Sequence, residues 1–113
     1  MINEKSINFW SKLEVKVLNG TAKEGADYHT QRRAIEECAA TIDGFQYGEL
    51  MLSSEDDSKF IVMCGWHSEE DFEQWLKSPV RAQQNEDLSK LLEVEMKESK
   101  YDSFHQFSQL KLS

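Results

Sequence analysis

The 113 residues carry 13 Lys and Arg against 21 Asp and Glu, a formal net charge of -8, so nucleic-acid backbones and anionic membrane surfaces repel the chain on average. A chain of this length forms one domain, residues 1–113, with no room for a second independent core. No apolar run approaches the roughly 20 residues that cross a bilayer, no secretory leader opens the chain, and Cys38 and Cys64 lie far apart without CxxC spacing; these features predict a cytoplasmic protein with reduced thiols and no metal site.

Residues 7–18, INFWSKLEVKVL, alternate between a greasy face (Phe9, Ser11, Leu13, Val15, Val17) and a mixed face (Trp10, Lys12, Glu14, Lys16, Leu18). That period of two predicts a strand, ended by Asn19-Gly20. From Thr21 the apolar spacing changes to three and four. Tyr28, Ile35, Cys38, Ala39 and Ile42 share one face, which predicts a single long helix reaching Asp43-Gly44. GFQYGELMLSS (44–54) and KFIVMCGWHS (59–68) predict a hairpin joined by the solvated acidic turn Glu55-Asp56-Asp57-Ser58.

Ser68 occupies the N-cap of the next helix, Asp71 completes a capping box, and Glu69 and Glu70 complement the positive end of its dipole. Phe72, Trp75 and Leu76 fall at i, i+3 and i+4 on an inward face. The helix ends at Ser78, because a residue before proline is pushed out of the helical region. Pro79 starts another helix with Leu88, Leu91, Leu92 and Met96 as its apolar face and the Lys- and Glu-rich segment 93–100 as its solvated end. Tyr101 to Leu112 predicts the final strand, with Phe104, Leu110 and Leu112 on one side.

Strand, helix, strand, strand, helices, strand is the ferredoxin-like βαββαβ order of an α+β domain: a four-stranded antiparallel sheet with helices on one face. The uncovered face carries Trp10, Leu18 and Phe107 or its neighbours. Pairing two sheets face to face into a closed barrel removes that surface from water, so a homodimer is expected.

A strand ending in Trp66, a helix capped by Ser68, inward Phe72 and Trp75, and the Ser78-Pro79 break together resemble the antibiotic biosynthesis monooxygenase family, which comprises small dimeric α/β barrels. The resemblance extends through Gly20-Thr21-Ala22-Lys23 and Asp43-Gly44-Phe45, and so spans residues 13–82. It implies one of two chemistries. One branch holds cofactor-independent oxygenases of quinols or polyphenols, with molecular oxygen as co-substrate. Their protein binds a phenol, helps remove its proton and shields the carbanion from water. The other branch binds and degrades haem, and asks for an Asn in the first strand, a Trp matching Trp75 and a His ligand about ten residues further on. Here those positions hold Leu13 and Asn85, and an amide is a poor iron ligand. The resemblance therefore implies a monooxygenase of a small aromatic substrate without a cofactor; haem held through another residue is the second choice, and a non-catalytic dimeric stress-related module the third.

Trp75 and Trp66 suit the stacking of a flat substrate, although their spacing also suits plain core packing. His29, His67 and His105 are possible acid/base groups, because an unperturbed imidazole titrates near neutrality, and none sits in a motif. His67 alternates with Trp66 and points away from it. His29, beside Tyr28 and close to Arg32 and Arg33, has the basic surroundings that steady a phenolate. His29 and Trp75 are thus the candidate catalytic residues, and Tyr28, Arg32, Trp66 and Phe72 the candidate substrate contacts. A satisfied or surface position is the alternative for each histidine, and buried small-residue packing for each cysteine.

Overall fold

The inward face of the first strand decides how the domain is layered. In a computed structural model, which describes residues 5–102, 110 and 112, β1 (Phe9–Val17) is followed by α1 (Ala22–Gln31), α2 (Ala34–Thr41), β2 (Phe45–Leu52), β3 (Lys59–Trp66), α3 (Glu69–Leu76), α4 (Pro79–Leu91) and β4 (Val94–Asp102). The strands lie in the order β2-β3-β1-β4 and every neighbouring pair is antiparallel. Phe9, Ser11, Val15 and Val17 are buried under the helices. The expected ferredoxin-like α+β sheet is present.

Local signals account for several boundaries. The Ser68 hydroxyl accepts from the Asp71 N–H at 3.3 Å, and an Asp71 carboxylate oxygen accepts from the Ser68 N–H at 3.1 Å and its hydroxyl at 2.8 Å. Two orphan donors at the start of α3 are thereby satisfied. Ser78 caps α4 through the Val80 N–H, with Pro79 at its first position. In the acidic turn, Asp56 accepts from both the backbone N–H and the hydroxyl of Ser58.

Two expectations need correction. The long first helix is two helices, because Arg33 adopts a left-handed conformation (φ 59°, ψ 43°) that stops α1 and restarts the chain as α2. No glycine or proline marks this break in TQRRAIEE. It is held instead from a distance: the Arg32 guanidinium donates to Glu37 at 2.6 Å and to Asp87 of α4 at 2.9 Å, while buried Gln84 donates to Glu37 and to the Ala34 carbonyl. The restart changes the helical phase, so Cys38 and Ile42 stay buried while Ala39 turns to solvent.

The second correction concerns the last strand. Segment 93–100 is not a helix end: α4 stops at Leu91, and Met96 belongs to β4, opposite Val15. β4 ends at Asp102, whereas the expected strand began at Tyr101. Phe104, His105 and Phe107 lie outside the described residues, and Leu110 and Leu112 are exposed outside any strand. β4 is an edge strand with a solvated outer face, so charged residues interrupt its apolar alternation and mimic a polar helix tail. Leu76 and Leu91, both placed on inward faces, are also exposed, at 37% and 59%.

Cross-strand register sorts the inward side chains into rows. Phe45, Trp66 and Phe9 align across β2, β3 and β1; the next row is Gly48, Cys64 and Ser11; the next is Leu50, Val62, Leu13 and Glu98. Across β2, β3 and β1 a row of small residues thus lies between two larger ones, and on β4 the row continues as Lys100, whose Nζ reaches Glu69 at 2.9 Å. One core cluster gathers Phe9, Cys38, Ile42, Trp66 and Phe72 on the aromatic side. The other gathers Val15, Val17, Phe60, Val62 and Leu88 with Ala22 and Ala26. Trp66 is fully buried, and its indole N–H donates to the Ser11 hydroxyl at 2.9 Å across the small row. Ser11→Ala leaves that donor buried without a partner and is expected to lower stability by about 1–3 kcal/mol in chemical denaturation. Adding Trp66→Phe, which removes the donor, should leave the Ser11→Ala change with less than half that cost.

Candidate functional site

The trough made by the small row is not filled from above. Between it and the helices lies a cavity with about 50 Å³ of enclosed space, which widens through an open mouth to solvent. Its floor is Ser11, Leu13, Val62 and Cys64 of the sheet. One wall is aromatic, from Trp66, Phe72 and Trp75. The opposite wall brings His29 from α1, Ala34, Ile35 and Cys38 from α2, Arg81, Gln84 and Asn85 from α4, and Glu98 from β4.

The aromatic wall divides into fixed and available parts. Trp66 is held edge-on by Phe45, with ring centroids 5.4 Å apart and planes at 88°, and touches Phe72 at 5.7 Å. Phe72 also meets Phe9 at 5.6 Å. These contacts, with the bond to Ser11, commit Trp66 to packing. Trp75 is half-buried, sits at the edge of that cluster and presents free ring surface to the cavity.

His29 sits in the last turn of α1 with its ring 6.1 Å from Phe60. Burial, aided by the Arg32 guanidinium and opposed by Glu36, depresses its pKa from 6.5 to about 4. The imidazole is therefore neutral at pH 7, and among the described residues it has no hydrogen-bond partner. Glu98 also lines the cavity, with a side chain 26% exposed and the Arg81 guanidinium 3.8 Å away. Burial pushes its carboxyl pKa up, against the pull of Arg81. Burial also pushes both thiols up, Cys64 to about 12, so neither is a thiolate at neutral pH.

Of the six site residues read from sequence, His29, Trp66, Phe72 and Trp75 line this cavity. Tyr28 packs against the aliphatic cluster instead, and Arg32 is spent on Glu37 and Asp87 at the helix break. His67 lies outside the cavity, its Nδ1 2.9 Å from the Ser6 carbonyl. Glu98 and Arg81 were missed. The period-two alternation of Val94 and Met96 with Glu95 and Lys97 was the available signal for Glu98, since it continues the inward face. Among the described residues no group of three or more His, Cys, Asp and Glu is arranged to hold a metal ion, and no helix is long and apolar enough to cross a membrane.

The depressed His29 value has a signed consequence for stability. The folded state binds this proton less readily than the unfolded state, so the contribution is complete above pH 6.5 and is lost as pH falls from 6.5 towards 4. The slope is at most about 1.4 kcal/mol per pH unit. Thermal melts across that window should therefore fall more steeply for the native protein than for His29→Gln, by about 4 °C per pH unit; parallel curves would show that His29 is not desolvated.

Comparison with known proteins bears on this geometry at two levels. Among solved structures, the ActVA-Orf6 monooxygenase of Streptomyces coelicolor, determined with nanaomycin D, superposes with a TM-score of 0.72 at 19% identity, covering 95% of this chain and 94% of that one. SnoaB, a cofactor-independent oxygenase from Streptomyces nogalater, gives 0.64 at 13% identity over 93% and 97%, and PA3566 from Pseudomonas aeruginosa gives 0.63 at 13% over 88% and 97%. At these identities the likeness is one of fold. No curated protein matches the sequence. Residues 15–86 match antibiotic biosynthesis monooxygenase, and with more than half of its length in that match, the chain belongs to the antibiotic biosynthesis monooxygenase family.

Proposed function

We propose that the protein is a cofactor-independent monooxygenase that takes a flat phenolic or quinol-like molecule into the cavity, with molecular oxygen as co-substrate. The observation that carries this reading is the pairing of a half-buried Trp75 with the unpartnered His29 inside one aromatic-walled cavity. Trp75 supplies a stacking surface. A neutral imidazole both donates and accepts, so His29 hydrogen-bonds the substrate oxygen without bringing a buried charge. The surrounding Phe72, Ile35 and Val62 keep water from a reactive carbanion. Family membership and the cofactor-independent oxygenase among the structural neighbours support the same chemistry. Tyr28 and Arg32 have no part in the proposal.

The haem alternative fits less well. Leu13, Trp75 and Asn85 do line the same cavity, yet Leu13 offers no hydrogen bond and Asn85 offers an amide where an imidazole nitrogen is needed. A homodimer completes the proposal. The sheet face away from the helices carries Trp10, packed edge-on to Tyr47 at 5.9 Å, next to Ile61, Met63 and the exposed Met51 and Tyr101. A second copy would cover that patch.

Oxygen uptake with a panel of quinols and anthrones tests the activity: Trp75→Ala and His29→Ala should each lower the rate at least about tenfold. Absence of protein-dependent uptake with every compound would sink the oxygenase reading. A saturable hemin Soret shift that decays on adding reductant would put haem turnover in its place. Light scattering after size exclusion should give twice the 13.2 kDa chain mass; a monomer at micromolar concentration refutes the dimer.

A further inference from the structure

The cavity holds a charged acceptor, Glu98, to which the described residues bring no hydrogen bond. Glu98 projects from β4 into the cavity opposite Leu13, next to Cys64, with most of its side chain buried. Its nearest cation, Arg81 Nη2, stands 3.8 Å from Oε1, beyond hydrogen-bond distance. Neither carboxylate oxygen accepts a hydrogen bond from any described residue. A carboxylate that is partly withdrawn from water and has no donor among the described residues is incompletely solvated, and a ligand that brings an O–H or N–H to it recovers part of that cost. A ligand lacking the donor leaves the carboxylate stranded and is rejected.

We propose that Glu98 is the hydroxyl-recognising residue and proton acceptor of this cavity. A flat ring lies along Trp75 with a phenolic O–H donated to the Glu98 carboxylate. In the reacting complex that O–H bond breaks, its electron pair stays on the ligand oxygen as phenolate facing Arg81, and the proton ends on a Glu98 oxygen. Burial supports this division of labour, because it moves His29 and Glu98 in opposite directions. His29 falls to about 4 and becomes a weak base, whereas Glu98 rises from 4.5 and becomes a stronger one. The assignment rests on the reading that the cavity takes a flat aromatic, and its recognition half can be tested without turnover.

Binding of α-naphthol and α-methylnaphthalene, followed by tryptophan quenching, isolates recognition. The native protein should prefer the naphthol at least about tenfold, from one hydrogen bond to a charged acceptor. Glu98→Leu should abolish that preference, and Glu98→Gln, whose amide oxygen still accepts, should keep binding within about threefold of native. Thermal melts establish that both variants are folded. With dithranol as oxidisable probe, Glu98→Gln should lower kcat at least about tenfold with little change in KM. A naphthol preference that survives Glu98→Leu, or failure of both ligands to bind, overturns the recognition role. Unchanged kcat in Glu98→Gln overturns the proton role. Absence of uptake by the native protein, with the naphthol preference intact, removes the oxygenase reading and the proton role and leaves recognition standing.

Discussion

The hydrogen bond from the Trp66 indole to the Ser11 hydroxyl ties together the features on which the cavity depends. It draws a fully buried tryptophan from the end of β3 towards the small residue opposite Cys64, two positions back along the strand. The indole then forms the end wall of a trough instead of filling it, and Phe45 and Phe72 hold it there. A larger side chain at Ser11 would occupy the space above the sheet. At the far end of the same row, Gly48 lets α2 settle close: a Cβ there would come within 2.6 Å of Ile35. Small residues thus let one helix approach while leaving an opening under the others.

The roof over this opening is pinned by polar contacts in addition to apolar packing. Arg32 joins Glu37 and Asp87, and Gln84 reaches both Glu37 and the Ala34 carbonyl. The two carboxylates are kept in the charged form by the amide donors of Gln84 and Gln83 together with Arg32. This network stabilises the left-handed Arg33, a conformation that a side chain with a Cβ adopts at a cost of order 1–3 kcal/mol. It also directs the end of α1, and with it His29, over the sheet. Of this network Gln84 lines the cavity, whereas Arg32, Glu37 and Asp87 do not, so Arg32 is a structural residue while its neighbour three positions back faces the ligand space.

Inside the cavity, low polarity sorts the ionisable groups. A neutral imidazole and two protonated thiols remain at neutral pH, and the acidic lining residue, Glu98, has its carboxyl pKa pushed up by burial with a guanidinium 3.8 Å away. Such a site favours uncharged aromatic ligands carrying a hydrogen-bond donor, and disfavours anions, which would meet Glu98 at close range. The chain's overall charge of -8 acts in the same direction at longer range.

Local chemistry made much of the chain legible. Alternation marked β1, β2 and β3, the Ser68 and Asp71 pair marked the start of α3, and Pro79 marked the start of α4, because each signal acts within a few residues. Trp66, Phe72 and Trp75 followed from their places at a strand end and on an inward helix face, and His29 from its basic neighbours. The helix break at Arg33 was hidden, since its stabilising partners Asp87 and Gln84 lie on another helix. β4 was hidden because an edge strand with one solvated face carries charges in place of apolar residues. Glu98 was lost with it. By itself, then, the sequence determined β1 to β3, the helical character of the segments between them and after β3, the Ser68 cap and the inward Phe72 and Trp75, all matters of short-range geometry and hydrophobic period. Only the tertiary structure decided that Gly48, Cys64 and Ser11 form one row, and that His29 and Glu98 face one space, because strand register and helix docking join residues that no sequence spacing connects.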